Sequence, residues 1–281
     1  MRVTIWGCRG SIPAPGPETV RYGGNTSCIE VVLPDGSVLV LDAGTGIRNL
    51  GLELEWRGTR RIHLFLTHLH LDHLEGLRFF EPLWDERVQL DIWGPPSPRL
   101  SLRERIARAF SPPLFPVDLV DVPARLAFHD TPREPWTMGD VSLTTAFVMH
   151  PGPTVGYRIE DATVTLAYIP DHEPALAGSI TGRSPDWISG ASLAAGADVL
   201  LHDAQFFEDE YAERVGRGHS SVADAVAFGR AVGAEQLVLF HHDPEHSDAS
   251  LEQLEARAVS LSSANGSKPR LAHEGMVLEL G

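Results

Sequence analysis

The chain carries the sequence His68-Leu69-His70-Leu71-Asp72-His73 directly after the apolar run 62–66, and four of these six residues are potential metal ligands. In an extended segment, side chains two positions apart lie on the same face, so His68 and His70 can converge on one cation. Asp72 and His73 stand where the chain turns, and they can reach a second cation. The spacing therefore predicts a site for two metal ions at the end of a strand.

Strand-like apolar runs lie on both sides of this motif. An opening meander is predicted at 3–6, 29–33 and 38–41, and further strands at 62–66, 90–93, 142–148, 155–160, 163–168, 198–201 and 237–240. Helices are predicted just after His73 and at 102–110, 185–195, 221–232 and 248–259. Two β-rich halves, each followed by helices, predict two sheets packed face to face with helices outside. An apolar strand ends on a histidine at both 64–68 and 237–241, an echo that suggests an internal duplication.

Length and composition place the chain among globular proteins. With 281 residues and 43% apolar composition, we expect one domain spanning 1–281, with the basic and proline-rich segment 99–117 as a lid or pocket wall. There is no apolar stretch of about 18 residues or signal-like start, which predicts a soluble, cytoplasmic protein without membrane contact. The two cysteines, Cys8 and Cys28, fit neither a disulfide framework nor a zinc spacing.

The charge balance argues against long polyanions as partners. The formal net charge is −15, so the chain lacks the basic surface by which nucleic-acid-binding proteins neutralise phosphates. A small anionic substrate stays possible, because two dications dominate the field inside a pocket. We therefore expect a small substrate and do not expect extended nucleic acid as a partner.

Further ligand candidates follow later strands. Two metal ions need about seven protein ligands if a water is to remain between them. His150 follows the predicted strand 142–148, Asp171 follows the apolar run beginning at 163, and His241 or His242 follows 237–240. A carboxylate such as Asp171 is the natural group to bridge two cations.

Taken together, the chain resembles the metallo-β-lactamase superfamily, and within it the phosphodiesterase branch that includes tRNA 3′-processing endonucleases (tRNase Z) and cyclic-nucleotide phosphodiesterases. The residues that carry this resemblance run through nearly the whole chain, and they are Gly7-Cys8-Arg9-Gly10-Ser11-Ile12-Pro13, Asp42-Ala43-Gly44, the histidine motif from Thr67, His150 with Gly156-Tyr157, Asp171, His202-Asp203-Ala204-Gln205, Gly218-His219-Ser220-Ser221 and Leu239-Phe240-His241. The resemblance implies an α/β fold, a four-layer αββα sandwich.

The resemblance also implies the roles of the metal ligands. It assigns one metal to His68, His70 and His150, the second to Asp72, His73 and His241, and the bridge to Asp171. It favours His241 over His242 as the last ligand, and Asp42 is a candidate to orient a ligand from behind. The expected cofactors are two divalent transition-metal ions, zinc first, with manganese or iron as alternatives.

His219 distinguishes a phosphodiesterase from other hydrolases of this kind. It stands just before the predicted helix 221–232, where helix N–H groups favour an anion. The resemblance implies that His219 contacts the scissile phosphate and that an acidic residue orients it. The family has His-Glu-Ala-Thr where this chain reads His-Asp-Ala-Gln, so Asp203 would act with a shorter arm.

These observations favour a phosphodiesterase acting on a small phosphodiester, with a 3′,5′-cyclic nucleotide as the preferred substrate. A hydroxide between the metals would attack in line, positioned by Asp171 and Asp72, while His219 protonates the leaving oxygen. The alternatives are a tRNase Z-type RNA endonuclease, which the charge and the lack of a basic arm disfavour, and a lactone or ester hydrolase. A non-catalytic metal-binding protein is a further alternative, and a homodimer is the default assembly.

Overall fold

The structure is a computed structural model that describes residues 1–174, 176, 178, 180, 182–262 and 267–281. Its strands are β1 (Arg2–Gly7), β2 (Cys28–Val32), β3 (Val38–Leu41), β4 (Arg61–Phe65), β5 (Gln89–Gly94), β6 (Arg125–Asp130), β7 (Trp136–Met138), β8 (Val141–Phe147), β9 (Val155–Glu160), β10 (Thr165–Ile169), β11 (Val199–Asp203), β12 (Gln236–Phe240), β13 (Arg270–Leu271) and β14 (Val277–Glu279). Its α-helices are α1 (Ile47–Arg57), α2 (Leu102–Ala107), α3 (Ala191–Ala194), α4 (Glu208–Ala212), α5 (Val222–Val232) and α6 (Asp248–Leu261).

The described strands form two sheets of seven, in the orders β14-β1-β2-β3-β4-β5-β6 and β13-β12-β11-β10-β9-β8-β7. Antiparallel pairing runs from β14 to β3 and from β7 to β10, and parallel pairing covers the rest of each sheet. The two sheets thus repeat one arrangement. However, β4 is the first strand after the change from antiparallel to parallel pairing in its sheet, whereas β12 is the second such strand in the other sheet. The two strands that lead to a histidine are therefore not equivalent in the repeat.

Three apolar layers hold the sheets and helices together. The central layer joins the inner faces of the sheets and contains Ile5, Leu41, Tyr157 and Phe240, all fully buried. The second packs α1 and α2 on the first sheet, and the third packs α3, α5 and α6 on the other. The four-layer αββα sandwich expected from the sequence is therefore confirmed.

The local predictions were less accurate around the first helical layer. The sequence prediction omitted α1, in which Gly51 interrupts the apolar pattern; a side chain there would meet the backbone of Glu81 at 2.9 Å. The helix predicted after His73 is replaced by three 3₁₀ turns, Leu71–His73, Glu75–Phe79 and Glu81–Trp84. One reason is that the Gly76 N–H donates to the Ala43 carbonyl at 3.0 Å, so it is not available for an α-helical hydrogen bond.

The helix predicted at 185–195 is also broken. A 3₁₀ turn, Pro185–Trp187, is followed by the short α3, and Gly190 between them has φ +71°. The sequence prediction also missed the strands β6, β7, β13 and β14. Cys8 and Cys28 are buried free thiols, as expected. Among the residues that the structure describes, no helix has the length and apolar character needed to cross a bilayer.

Candidate dinuclear metal site

All candidate ligands except His150 lie just beyond the carboxyl ends of strands that pair in parallel, and both sheets contribute such strands. The histidine motif follows β4, Asp171 follows β10 and His241 follows β12, while His150 lies in the loop between β8 and β9. In open α/β sheets, ligands bind outside the carboxyl ends of the parallel strands, because the polar side chains of the loops that follow these strands meet there. The two packed sheets therefore supply opposite sides of one cluster.

All seven residues predicted as ligands come together in two adjoining groups, His68, His70 and His150 in the first and Asp72, His73, Asp171 and His241 in the second. In the first group, His150 Nε2 lies 3.2 Å from His70 Nδ1. In the second, His73 Nε2 lies 3.4 Å from His241 Nε2 and 3.0 Å from Asp171 Oδ2. Donors bound tetrahedrally to one ion at about 2.0–2.1 Å are roughly 3.3–3.4 Å apart. The spacing within each group therefore suits one ion.

Two buried ligand-type atoms that face this cluster lack a regular hydrogen bond. In the described part of the chain, His68 Nε2 makes none, and Asp171 Oδ2, which lies 3.0 Å from His73 Nε2, makes none of regular geometry. Asp171 Oδ1 lies 3.8 Å from His68 Nε2 and 3.8 Å from His150 Nε2, so this carboxylate faces both groups. Leaving such groups unpaired away from water is costly, and a cation removes the cost. The residues therefore fit a pair of divalent ions, with Asp171 between them.

Three of the candidate histidines are held from behind in a way that leaves one ring nitrogen of each free. His150 Nδ1 donates to the Gly218 carbonyl at 2.8 Å, His73 Nδ1 donates to Asp42 Oδ2 at 2.9 Å, and His68 Nδ1 lies 3.0 Å from the Thr67 hydroxyl. In each case the Nε2 atom is the one left to face the cluster. Such contacts fix the tautomer and the ring orientation of a metal ligand.

Asp42 connects several of these parts. It accepts hydrogen bonds from the Thr67 N–H at 2.7 Å, from the Tyr168 hydroxyl at 2.9 Å and from His73. Its backbone has φ +61°, a conformation that side chains rarely adopt and that only the surrounding contacts can maintain. Asp42 therefore joins β3, β4 and β10 directly beneath the cluster.

The N-terminal loop closes the other side of the cluster. The Ser11 N–H donates to Asp72 Oδ2 at 2.7 Å, and Gln205 Nε2 donates to the Ser11 hydroxyl at 3.1 Å. Gly10 lies so near His241 that a Cβ there would be 2.2 Å from the ring Nδ1. This loop therefore fixes Asp72 and leaves only enough room for glycine beside His241.

The structure distinguishes His241 from His242. His241 Nε2 lies 3.2 Å from both Asp72 Oδ2 and Asp171 Oδ1, within the second group. His242 turns away and donates from Nε2 to the Ala272 carbonyl at 2.8 Å. His241 is therefore the residue that the fold places with the other candidates.

The carboxylates concentrate negative potential on one side of the cluster. Burial opposes the charged form of His73, but Asp171 and Asp72 raise its pKa well above the ordinary value. Burial likewise opposes the charged form of His241, and the same carboxylates raise its pKa to about 9. Burial and the nearby His73 instead hold the pKa of His68 well below the ordinary value. Positive charge is thus stabilised most strongly between His73 and His241.

His219 stands at the edge of the cluster with its ring stacked on His241 at 4.7 Å between centroids. Asp203 Oδ2 accepts a hydrogen bond from His219 Nδ1 at 2.6 Å, so the shorter aspartate arm does reach the histidine. Asp203 also accepts from the N–H groups of Ser220 and Gln205, which hold its carboxylate still. The Nε2 atom of His219 is therefore the one that can exchange a proton with a ligand.

At the start of α5, where the sequence predicts an anion site, the backbone N–H groups already have acceptors within the protein. Ser221 caps this helix and accepts from the Asp224 N–H, while the Ser220 N–H donates to Asp203 and the Val222 N–H to Phe206. These three N–H groups are thus not available to bind an anion. The imidazole of His219, rather than these three N–H groups, is the group available to a phosphate.

The sequence analysis missed Glu173, which is buried two residues beyond Asp171. Its carboxylate accepts from the Tyr211 hydroxyl and from the N–H groups of Gly216 and Gly218, each at 2.8 Å. Gly218 in turn accepts from His150. The only signal was a glutamate next to a ligand candidate, because its partners lie about forty residues away along the chain, at separations of 38 to 45.

Comparison with known proteins identifies the family. A model of the β-lactamase superfamily domain matches residues 38–242. The chain belongs to this superfamily. Ribonuclease Z of Streptococcus suis is 27% identical over 84% of this chain and 90% of its own, and ribonuclease Z of Haloarcula marismortui is 28% identical over 90% and 89%. The metallo-β-lactamase fold protein YhfI of Bacillus subtilis superposes with a TM-score of 0.70 at 19% identity, over 99% of both chains.

These comparisons confirm the expected superfamily and the expected class of enzyme, a metal-dependent hydrolase. They correct the order of the substrate predictions. Both relatives are named for an activity on RNA, and nothing in the comparisons supports a cyclic nucleotide. The sequence analysis places the RNA endonuclease second because of the net charge and the lack of a basic arm. The net charge is a property of the whole surface and does not describe the site.

Proposed function

We propose that this superfamily member is a phosphodiesterase that cleaves RNA and uses His219 as its acid. The observation that carries the proposal is the bond between His219 Nδ1 and Asp203 at the edge of the cluster. A phosphodiester brings a negatively charged group to this edge of the cluster, where an imidazole oriented by a carboxylate can contact it. The same imidazole can protonate the alkoxide leaving group, because the departing oxygen must take up a proton.

The ligand assignment belongs to this proposal. His68, His70 and His150 would hold one ion, and Asp72, His73 and His241 the other, with Asp171 shared. When bound, two such ions supply Lewis acidity towards the phosphate and lower the pKa of a coordinated water. Nitrogen and carboxylate donors suit zinc, manganese and iron, and we propose zinc.

The residues of the chain then perform the remaining steps. Asp171 and Asp72 orient the attacking group by accepting its hydrogen bonds. His219 contacts the phosphate as charge develops on it, and donates its Nε2 proton to the leaving oxygen. Asp203 keeps the ring in the required tautomer and orientation, and this needs no reorganisation because its carboxylate is already fixed.

The choice of RNA as substrate follows from the relatives named ribonuclease Z. A small phosphodiester is the second candidate, and the net charge of −15 is the observation that favours it. Long RNA gains little attachment to such a surface and depends on local contacts near the site.

The test compares purified metal-loaded protein on a tRNA precursor with a 3′ trailer, 3′,5′-cyclic AMP, bis(p-nitrophenyl) phosphate and a lactone. We expect the phosphodiesters to be hydrolysed, with the precursor cut at its 3′ side. His219→Gln should keep its metal ions and lose about 10²-fold in kcat on an alkoxide leaving group, and less on p-nitrophenolate. His273→Gln, outside the cluster, serves as control. If the lactone were the best substrate and His219→Gln kept full rates, the proposal would be wrong.

A further inference from the structure

A cavity of about 510 Å³ opens beside His68 and His70. Its other walls come from the segment 97–100, from α2 with the residue that follows it, and from the loop 151–153. The volume is within the range of sites that take a nucleotide-sized molecule. The cavity therefore extends the candidate metal site on one side by enough space for one further unit of a substrate.

The cavity is lined by three arginines, Arg99, Arg105 and Arg108, and by none of the acidic residues that the structure describes. Arg105 already has partners within the protein, because it donates to the Pro95 carbonyl at 2.6 Å and lies 3.8 Å from Asp130. Arg99 and Arg108 are exposed, and within the described ranges neither has a carboxylate within 4.0 Å. In a chain of net charge −15, these two guanidinium groups form a local positive site.

The backbone that carries these arginines is anchored. The Ser101 and Glu104 side chains cap the start of α2 reciprocally, and Leu102 and Ile106 are buried in the layer against the first sheet. Arg105 and Arg108 are three residues apart and therefore share a face of this segment. Prolines at 95, 96 and 98 restrict the preceding segment. The backbone that carries these arginines is thus held at the wall of the cavity that His68 and His70 also line.

We propose that Arg99 and Arg108 bind a second phosphate group of the substrate, adjacent to the phosphodiester that is cleaved. The inference rests on the proposed function and specifies its substrate class: a molecule with at least two phosphates, one at the metal cluster and one in the cavity. Guanidinium groups bind phosphate oxygens in a paired geometry that lysine cannot offer. A cyclic mononucleotide has one phosphate and leaves this subsite unused.

The second phosphate has two possible sources, the internal diester of an RNA chain or the terminal phosphate of a small molecule. The substrates UpU, pUpU, UpUp and UpUpU distinguish them, because all contain a UpU linkage. To it pUpU and UpUp add one terminal phosphate, and UpUpU adds a second diester with its nucleoside. We expect one of the phosphorylated forms to have a KM at least about 10-fold below that of UpU. Preference for UpUpU indicates an RNA chain, and preference for pUpU or UpUp indicates a terminal phosphate.

The variants Arg99→Gln and Arg108→Gln, and the pair together, should remove this difference in KM while leaving kcat on UpU unchanged. Arg61→Gln is the matched control, because Arg61 is exposed at the start of β4, away from the end that leads to His68. Equal KM values for all four substrates, or variants that keep the preference, would overturn the inference.

A binding measurement separates this inference from the proposed function. If neither these substrates nor the tRNA precursor is cleaved, the proposed function fails, and calorimetric affinities of the purified protein for pUpU, UpUp, UpUpU and UpU then decide the inference alone. Tighter binding of a form with an added phosphate, lost in the double variant, supports the subsite. Equal affinities overturn it.

Discussion

Asp42 shows how much of the candidate site depends on one residue behind it. Its carboxylate holds the ring of His73 and, through Thr67 and Tyr168, the ends of two further strands. The residue touches no substrate in the proposed mechanism. Its effect is instead on how well the nitrogen of His73 is aimed at an ion.

Replacing Asp42 by asparagine should therefore weaken metal binding. We expect the affinity of the second group to fall by about 10- to 100-fold, the usual range for the loss of such a contact. Competition with a chromophoric chelator measures this directly. Asp35→Asn, in the exposed turn between β2 and β3, is the control. An unchanged affinity in Asp42→Asn would show that Asp42 is merely structural.

The contact between Gly10 and His241 gives a second prediction at this scale. A methyl group at position 10 must displace the imidazole, because the ideal Cβ falls 2.2 Å from its Nδ1. Gly10→Ala should therefore bind close to one metal ion per chain by elemental analysis, where the parent binds two. Gly16→Ala has open space around its Cβ and should bind as the parent does. Full metal content in Gly10→Ala would argue against His241 as a ligand.

Among the elements, the turn before α5 is organised from a distance. Glu173 accepts from Gly216 and Gly218, and the turn then presents both the carbonyl that holds His150 and the imidazole of His219. A single buried carboxylate thereby links the strand end of Asp171 to two other residues of the site.

Glu173→Gln should loosen this turn, because an amide nitrogen cannot accept the hydrogen bonds that the carboxylate accepts. We expect faster tryptic cleavage after Arg217 under native conditions, together with weaker binding of the first metal ion by chelator competition. Glu213→Gln, on the exposed side of the same segment, should match the parent in both measurements. Unchanged cleavage and affinity would remove Glu173 from the account of the site.

The elements that the sequence could predict are those in which a continuous apolar run marks the strand and a ligand-type residue stands directly after it. The strands ending at His68, Asp171 and His241 are apolar runs followed by a ligand-type residue, so they could be found from the chain alone. Helix α1 could not, because Gly51 is required by packing against the 3₁₀ turn beginning at Glu81 and hides the helical pattern. Glu173 was missed for a related reason, since its partners are distant in sequence.

At the scale of the whole molecule, two buried histidines make the fold sensitive to acid. Burial lowers the pKa of His202 to about 4 and that of His242 to about 3. In the unfolded chain both take up protons near pH 6.5. The folded state excludes those protons. The contribution of the two neutral histidines to stability is therefore fully present above about pH 6.5 and is lost as the pH falls towards 4.

We therefore expect each of these two histidines to lower the free energy of unfolding of chelator-treated protein by up to about 1.4 kcal/mol per pH unit below pH 6.5. Urea unfolding at pH 7.5, 6.5 and 5.5 measures the slope. His202→Gln should have a shallower slope than the parent by up to about that amount, whatever its absolute stability. Equal slopes in His202→Gln and the parent would contradict the assignment.

The arrangement of the two sheets was predictable in outline, whereas the pairing within them was not. Apolar runs and helices in each half indicated two layers of strands between two layers of helices. The short strands β13 and β14 contain two and three residues, too few to carry a period, yet they place the end of the chain on both sheets. Their position depends on tertiary contacts and not on local preference.

The cluster takes its donors from both sheets, and His73 and His241 are separated by 168 residues along the chain. An ion shared between them acts as a reversible cross-link, comparable in topology to a disulfide that closes a very long loop. Such a link favours the folded chain by mass action, by about 4 kcal/mol at a thousand times the dissociation constant. A divalent ion that supports no hydrolysis should then still raise the melting temperature, and the seven proposed ligands would join the two halves of the protein as well as bind the ions.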